Sequence, residues 1–224
     1  MKPFRSALGL IRGSRRPYLV INLAYYGLIL CAMVYTAFDR SLQQLLMDSV
    51  AASLSEGPLA TVADAYVGGS VLPAIGLTVG INLAVGSFVT ITLPSLVIPF
   101  SGLLTAALRA LIWGVLFSPQ ISGAIAVRDV LIGIMLLGLI LLEGQGYVLA
   151  MFGAYLHGRS FLFSRPEGSG ENRSRGIAPS WQGYLLGLKE QALIYLFVAL
   201  VLLIAALYEV GLAMVAAPAL YRQL

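Results

Sequence analysis

Asn82, Arg109, Glu143 and Glu209 interrupt the most apolar parts of this chain. A charge near mid-bilayer costs about 2.5–3.5 kcal/mol on insertion scales. Such residues therefore face the protein interior, where they pair, neutralise or line water. An arginine keeps its proton in any protein environment, so Arg109 needs an acceptor. Glu143 stands at the matching depth if neighbouring helices run antiparallel. Two chemistries fit these four as an intramembrane polar cluster: an ion pair that fixes helix register, or a polar cavity for an ion, a proton or a substrate. Glu209 has no charged residue at its own depth. A bond to backbone or to Asn82, or its own protonation, would satisfy it. Asn82 also suits interhelical glue, a bond worth about 1 kcal/mol.

Other residue types offer less chemistry. Cys31 is the single cysteine, stands in an apolar run and has no basic neighbour to activate it. His157 is the single histidine and falls at the end of a long apolar stretch, where a cation complements a helix dipole. Gly86-Ser87-Phe88-Val89 lacks the closing glycine of a nucleophile turn, and no second histidine exists to serve it. Neither a paired-histidine metal motif nor a phosphate-cradling glycine loop occurs. Catalytic residues, metal ligands and cofactors are therefore not expected, and any energy supply falls to a partner.

The elements that hold these residues follow from composition. Charged residues are 11% of the 224 positions, against roughly 25% in a soluble domain. That is too few to cover a soluble surface, which excludes a soluble enzyme and a nucleic-acid binder. With 59% hydrophobic residues and mean hydropathy +0.89, the chain reads as an integral membrane protein. The expected fold class is all-α: a polytopic membrane helix bundle of about five transmembrane helices plus an amphipathic interfacial helix, in one domain over 1–224.

About 20 apolar residues cross a bilayer as a helix. The first crossing is placed at 16–38, too long for the apolar core of a signal peptide. Segment 40–66 carries Leu42, Leu45, Leu46, Val50 and Leu54 at helical spacing among polar residues, which fits an external amphipathic helix. No charge occurs from 65 to 108. That stretch fits two crossings, 71–93 and 98–117, broken near Pro94 and Pro99, or a re-entrant hairpin. The fourth crossing is placed at 130–157 and the fifth at 191–217, with a hydrophilic loop at 159–189. Gly138, Gly144, Gly146 and Gly153 would let the fourth helix approach its neighbours closely.

Charge sets the orientation. Lys2, Arg5, Arg12, Arg15 and Arg16 precede the first crossing, while Arg159, Arg165, Arg173, Arg175 and Lys189 fall in the 159–189 loop. Five crossings put both groups on one side, and the positive-inside rule makes that side the cytoplasm, with the C-terminus outside. The sequon Asn172-Arg173-Ser174 then lies in the cytosol and has no glycosylation role.

The polar marks fall in order in Gly80-Ile81-Asn82-Leu83-Ala84-Val85, then Leu141-Leu142-Glu143-Gly144-Gln145-Gly146-Tyr147, and last Ala205-Ala206-Leu207-Tyr208-Glu209-Val210. That order resembles the stage II sporulation protein M family over roughly 72–215. Asn82, Glu143 and Glu209 take the family's three polar positions in order. The chain departs from the family at Ile81, where a second Asn is common, and at Arg109, which is its own feature. The resemblance implies a non-catalytic scaffold or accessory subunit in a prokaryotic cytoplasmic (inner) membrane. Its partners would be other integral membrane proteins, an ABC-type transporter or cell-wall-remodelling proteins among them, with no nucleic acid. A transporter or channel subunit using the intramembrane Glu, Arg and Asn residues is the alternative.

Overall fold

The computed structural model describes residues 2–56, 61, 68–119, 127–163 and 179–221. Among them the secondary structure is helical, with no strand. We number the helices α1 (Lys2–Gly13), α2 (Arg15–Phe38), α3 (Ser41–Glu56), α4 (Val71–Val97), α5 (Ser101–Leu116), α6 (Val127–Phe163) and α7 (Trp181–Tyr221). Four are long and apolar enough to cross a membrane: α2, α4, and the stretches Gly133–Phe163 of α6 and Trp181–Ala213 of α7. The chain is thus a helical membrane protein. Helix α5 is equally apolar but has 16 residues, fewer than the roughly 20 of a full crossing.

Several bounds differ from those expected from hydropathy. The basic N-terminal arm is itself a helix, α1, whose Phe4, Ala7, Leu8 and Ile11 share one face and Lys2, Arg5 and Arg12 another. It stops at Gly13 and Ser14, four residues before Pro17, whose ring has no N–H for the Gly13 carbonyl and clashes with it. Both ends of the loop expected at 159–189 are helical instead. Helix α6 continues through Arg159 to Phe163, and α7 begins at Trp181, ahead of Lys189. Hydropathy finds the hydrocarbon core, whereas Arg, Lys, Glu and Leu all favour helix beyond it. Within the expected external segment the helix is Ser41–Glu56. Its leucines at 42 and 45 are exposed, while Gln43 is buried. The expected loop residues 166–172, the sequon at 172–174, and Arg165, Arg173 and Arg175 lie outside the described residues.

The turn between α4 and α5 also moves. Helix α4 passes Pro94 and ends at Val97, so the break expected at Pro94 is absent. The π-helical stretch Ile81–Thr92 precedes that proline, and its wider winding tolerates a missing N–H. The chain breaks where Pro99 forces extended backbone on the residue before it, Ile98 at φ −119 and ψ 109. Phe100 follows in the left-handed region, φ 68, uncommon for a residue with a Cβ.

The chain forms two compact units. One comprises Met1–Tyr25, Leu83–Leu108 and Gln145–Leu200; the other comprises Tyr26–Asn82, Arg109–Gly144 and Val201–Leu224. Helices α2, α4, α5, α6 and α7 each contribute to both.

The first unit holds together along an antiparallel seam of α6 and α7. Residues meet across it in the pairs Gly153 with Gln191, His157 with Gly187, and Ser160 with Gly183. A Cβ at Gly187 would lie 2.8 Å from the Cα and carbonyl oxygen of His157. Each glycine faces a larger side chain or backbone of the other helix, so the two axes come close and van der Waals contact replaces the missing hydrophobic drive. In the same unit the start of α5 lies on α4. The Gly102 N–H donates to Ser95 Oγ at 2.7 Å, satisfying a helix-start donor that no carbonyl of α5 can reach. A Cβ at Gly102 would collide with the Ile91 carbonyl. The strained Phe100 is held by its ring, 6.2 Å from that of Tyr155 and against Gly158.

Candidate functional site

Asn82, Arg109, Glu143 and Glu209 come from four helices and all belong to the second unit. Arg109 Nη2 lies 3.9 Å from Glu143 Oε1, an ion pair longer than a charged hydrogen bond. The Glu143 side chain is 7% exposed and that of Arg109 25%. One turn along α5, Trp113 places its ring 5.6 Å from the guanidinium carbon, so the cation rests on an aromatic face as well as opposite a carboxylate. Asn82 stands in the first turn of the π-helical stretch and is half-buried, as is Glu209, and neither is without a partner.

Polar side chains bind the same unit to its own backbone. Tyr26 Oη donates to the Leu141 carbonyl at 2.9 Å, next to Glu143 in α6. Tyr208 Oη donates to the Met135 carbonyl at 3.0 Å, and the space for that ring is left by Gly138. Gln43 Nε2 donates to the Ser118 carbonyl at 2.9 Å, tying α3 to the end of α5. Ser118 Oγ in turn donates to the Met33 carbonyl of α2 at 2.9 Å. In a medium without water each bond satisfies a carbonyl lone pair that lipid cannot. Gln43 and Ser118 carried no signal in the sequence, since an isolated Gln on a polar helix reads as solvated.

The packing glycines divide accordingly. Gly138 meets Tyr208 in the second unit, and Gly153 meets Gln191 and Ile194 in the first. Gly144 and Gly146 are buried.

The first unit contains a second polar arrangement, which hydropathy alone conceals. Thr92 Oγ1 donates to Tyr195 Oη at 2.5 Å, Tyr195 Oη to Ser87 Oγ at 3.2 Å, and Ser87 Oγ to the Leu83 carbonyl at 2.8 Å. One direction of donation satisfies all four groups, so the chain of bonds ties α7 to the π-helical stretch. Gln145 donates to Tyr18 Oη, joining α6 to α2. His157, expected at a helix end, is fully buried within the seam with its ring 4.8 Å edge-on to Tyr184. Gln191 is 2% exposed, and neither polar atom of its amide has a hydrogen-bond partner.

Cys31 is exposed on α2, a helix whose outer face would meet lipid. Among the described residues no group of three His, Cys, Asp or Glu side chains is placed to hold a metal ion. No family model matches the chain, and no curated protein or solved structure is similar to it.

Proposed function

We propose that this chain is a non-catalytic, multi-spanning scaffold or accessory subunit of a larger membrane complex, of the kind found in the stage II sporulation protein M family. The observation that carries the reading is the Arg109–Glu143 ion pair. The most costly charges in the apolar region are matched to each other inside one unit. A structural use of that pair is to fix helix register while the outer faces stay free for lipid or protein neighbours. Those faces are wide: Leu23, Leu72, Val97 and Leu104 are each more than three-fifths exposed. The N-terminus lies in the cytoplasm of a prokaryotic cell and the C-terminus outside, with α5 completing five crossings. Partners are other integral membrane proteins, an ABC-type transporter or cell-wall-remodelling proteins being the candidates.

The test is purification of the tagged full chain from native membranes in a gentle detergent, followed by mass spectrometry. A stoichiometric membrane-protein partner is expected. Recovery of the chain alone at every detergent strength refutes the scaffold reading.

One observation favours a second reading, a transporter or channel subunit. Asn82 stands in the first turn of a π-helical stretch of 12 residues, a winding frequent at functional sites. In that reading Glu143→Gln abolishes ion or substrate flux and leaves the fold intact, whereas in the scaffold reading it weakens the fold.

A further inference from the structure

The break between α1 and α2 creates a cationic cleft. It is open to solvent, has a volume of about 390 Å³ and is lined by Arg12, Arg15, Arg16 and Arg159 around the Gly13–Ser14 backbone. Three of these arginines are local in sequence, and the fourth arrives from the far end of α6. Arg159 is held there: its Nη1 donates to Ser14 Oγ at 3.1 Å, and its guanidinium carbon lies 5.9 Å from the Tyr155 ring centre. Among the described residues no carboxylate lies within ion-pair distance of any of the four. Arg12, Arg15 and Arg16 are exposed and Arg159 is half-buried, so solvent screens part of the repulsion among these four like charges, and a bound anion offsets the rest. Guanidinium groups suit phosphate oxygens, because their planar donor forks bind two oxygens at once.

The surroundings narrow the ligand further. Arg16, Leu19, Val20 and Leu23 are spaced i, i+3, i+4 and i+7, so they share one face of α2. Leu19, Val20 and Leu23 are 58%, 63% and 74% exposed. An apolar strip therefore leads directly from the cleft along a membrane-spanning helix. Helix α1, apolar on one face and basic on the other, flanks the cleft as helices do that lie in the interfacial plane.

We propose that this cleft binds the phosphate-bearing headgroup of an anionic phospholipid, with the acyl chains laid along Leu19, Val20 and Leu23. The cleft residues belong to the first unit and share no residue with the Arg109–Glu143 pair of the second, so the proposal does not depend on the scaffold reading. A free phosphate shares the headgroup chemistry but makes no use of the apolar strip.

The experiment uses the purified full chain in a zwitterionic detergent and counts retained lipid by native mass spectrometry. Phosphatidylglycerol, phosphatidylcholine with the same acyl chains, and inorganic phosphate are the three probes. Phosphatidylglycerol is expected to be retained at least tenfold over phosphatidylcholine and to resist millimolar phosphate. Arg16→Gln and Arg159→Gln are each expected to weaken it about fivefold, and the double substitution about 25-fold, each step being about 1 kcal/mol per basic residue near anionic lipid. Arg5→Gln, an exposed basic residue outside the cleft, is expected to change it less than twofold. Arg16 is exposed, so its variant keeps the test valid if Arg159→Gln loses helicity. Equal retention of the two lipids overturns the proposal. So does an Arg5→Gln loss as large as that of Arg16→Gln, which means diffuse attraction, or displacement by inorganic phosphate, which means a free-anion site.

Discussion

Removing the carboxylate of Glu143 should destabilise the protein far more than removing the ion pair as a whole. Opposite charges at 3.9 Å attract by about 4 kcal/mol at an effective dielectric near 20. The Trp113 ring, 5.6 Å from the guanidinium carbon, would still supply roughly 0.5–1 kcal/mol after the acid is gone. Glu143→Met conserves volume and leaves the cation without that carboxylate, so a loss of about 3 kcal/mol follows, at the lower end of the range for a broken buried pair. Arg109→Leu should cost less, about 1.5 kcal/mol, since a carboxyl group that has lost its counter-ion can take up a proton and an arginine cannot. With both substitutions no charge is left, and about 1.5 kcal/mol is expected in total. The cycle then has a coupling energy of about 3 kcal/mol. Reversible unfolding of the full chain in mixed micelles, read by circular dichroism and tryptophan fluorescence, measures each corner. If the two single losses sum to the double loss within about 0.5 kcal/mol, the pair does not stabilise this fold and the argument for it fails.

Four further outcomes follow from the same packing. Gly187→Ala places a methyl 2.8 Å from His157 backbone and should cost about 1–3 kcal/mol, whereas Gly27→Ala, with nothing within 4 Å, should be neutral or stabilising by up to about 1 kcal/mol; the same unfolding assay compares them. Tyr195→Phe removes the middle of the Thr92–Tyr195–Ser87 chain of bonds and should cost about 1–2 kcal/mol, unless Thr92 and Ser87 re-pair, in which case the loss vanishes. Gln191→Met replaces a buried amide lacking hydrogen bonds with a side chain of similar volume and should raise stability by about 1–2 kcal/mol. The Asp39 carboxyl is held below its ordinary value by hydrogen bonds from the Ser41 N–H and hydroxyl, so the start of α3 gains from it above pH 3.8 and loses that gain as pH falls through the lowered value. Protection of the Ser41 amide, measured against its intrinsic exchange rate at each pH, should fall over that range, and Asp39→Asn should remove the dependence.

Particular elements show how far the primary structure reaches. The long uncharged runs sufficed for a membrane protein of apolar helices, because water cannot cover such surfaces. Asn82, Arg109, Glu143 and Glu209 stood out for the same reason: a polar group in hydrocarbon is too costly to occur without a use. Proline at position 99 marked a break, since its ring disfavours helical backbone at the residue before it, and Ile98 is extended. Position 94 misled, because only the π-helical winding ahead of it shows how the missing N–H is absorbed.

The helix ends at Phe163 and Trp181 were not readable from hydropathy, which senses solvent rather than backbone hydrogen bonding. Nor were Gln43, Ser118 and Tyr195, whose partners are backbone carbonyls or hydroxyls distant along the chain. The arginine cleft combines both kinds of information. Arg12, Arg15 and Arg16 announce a basic segment by themselves, but Arg159 lies well over a hundred residues later. Local sequence determines which groups must avoid lipid and where a helix has to stop. Tertiary structure decides which of those groups meet, because distances of 3–4 Å between remote residues are set by how closely helices pack, and that is fixed by small residues on both partners at once.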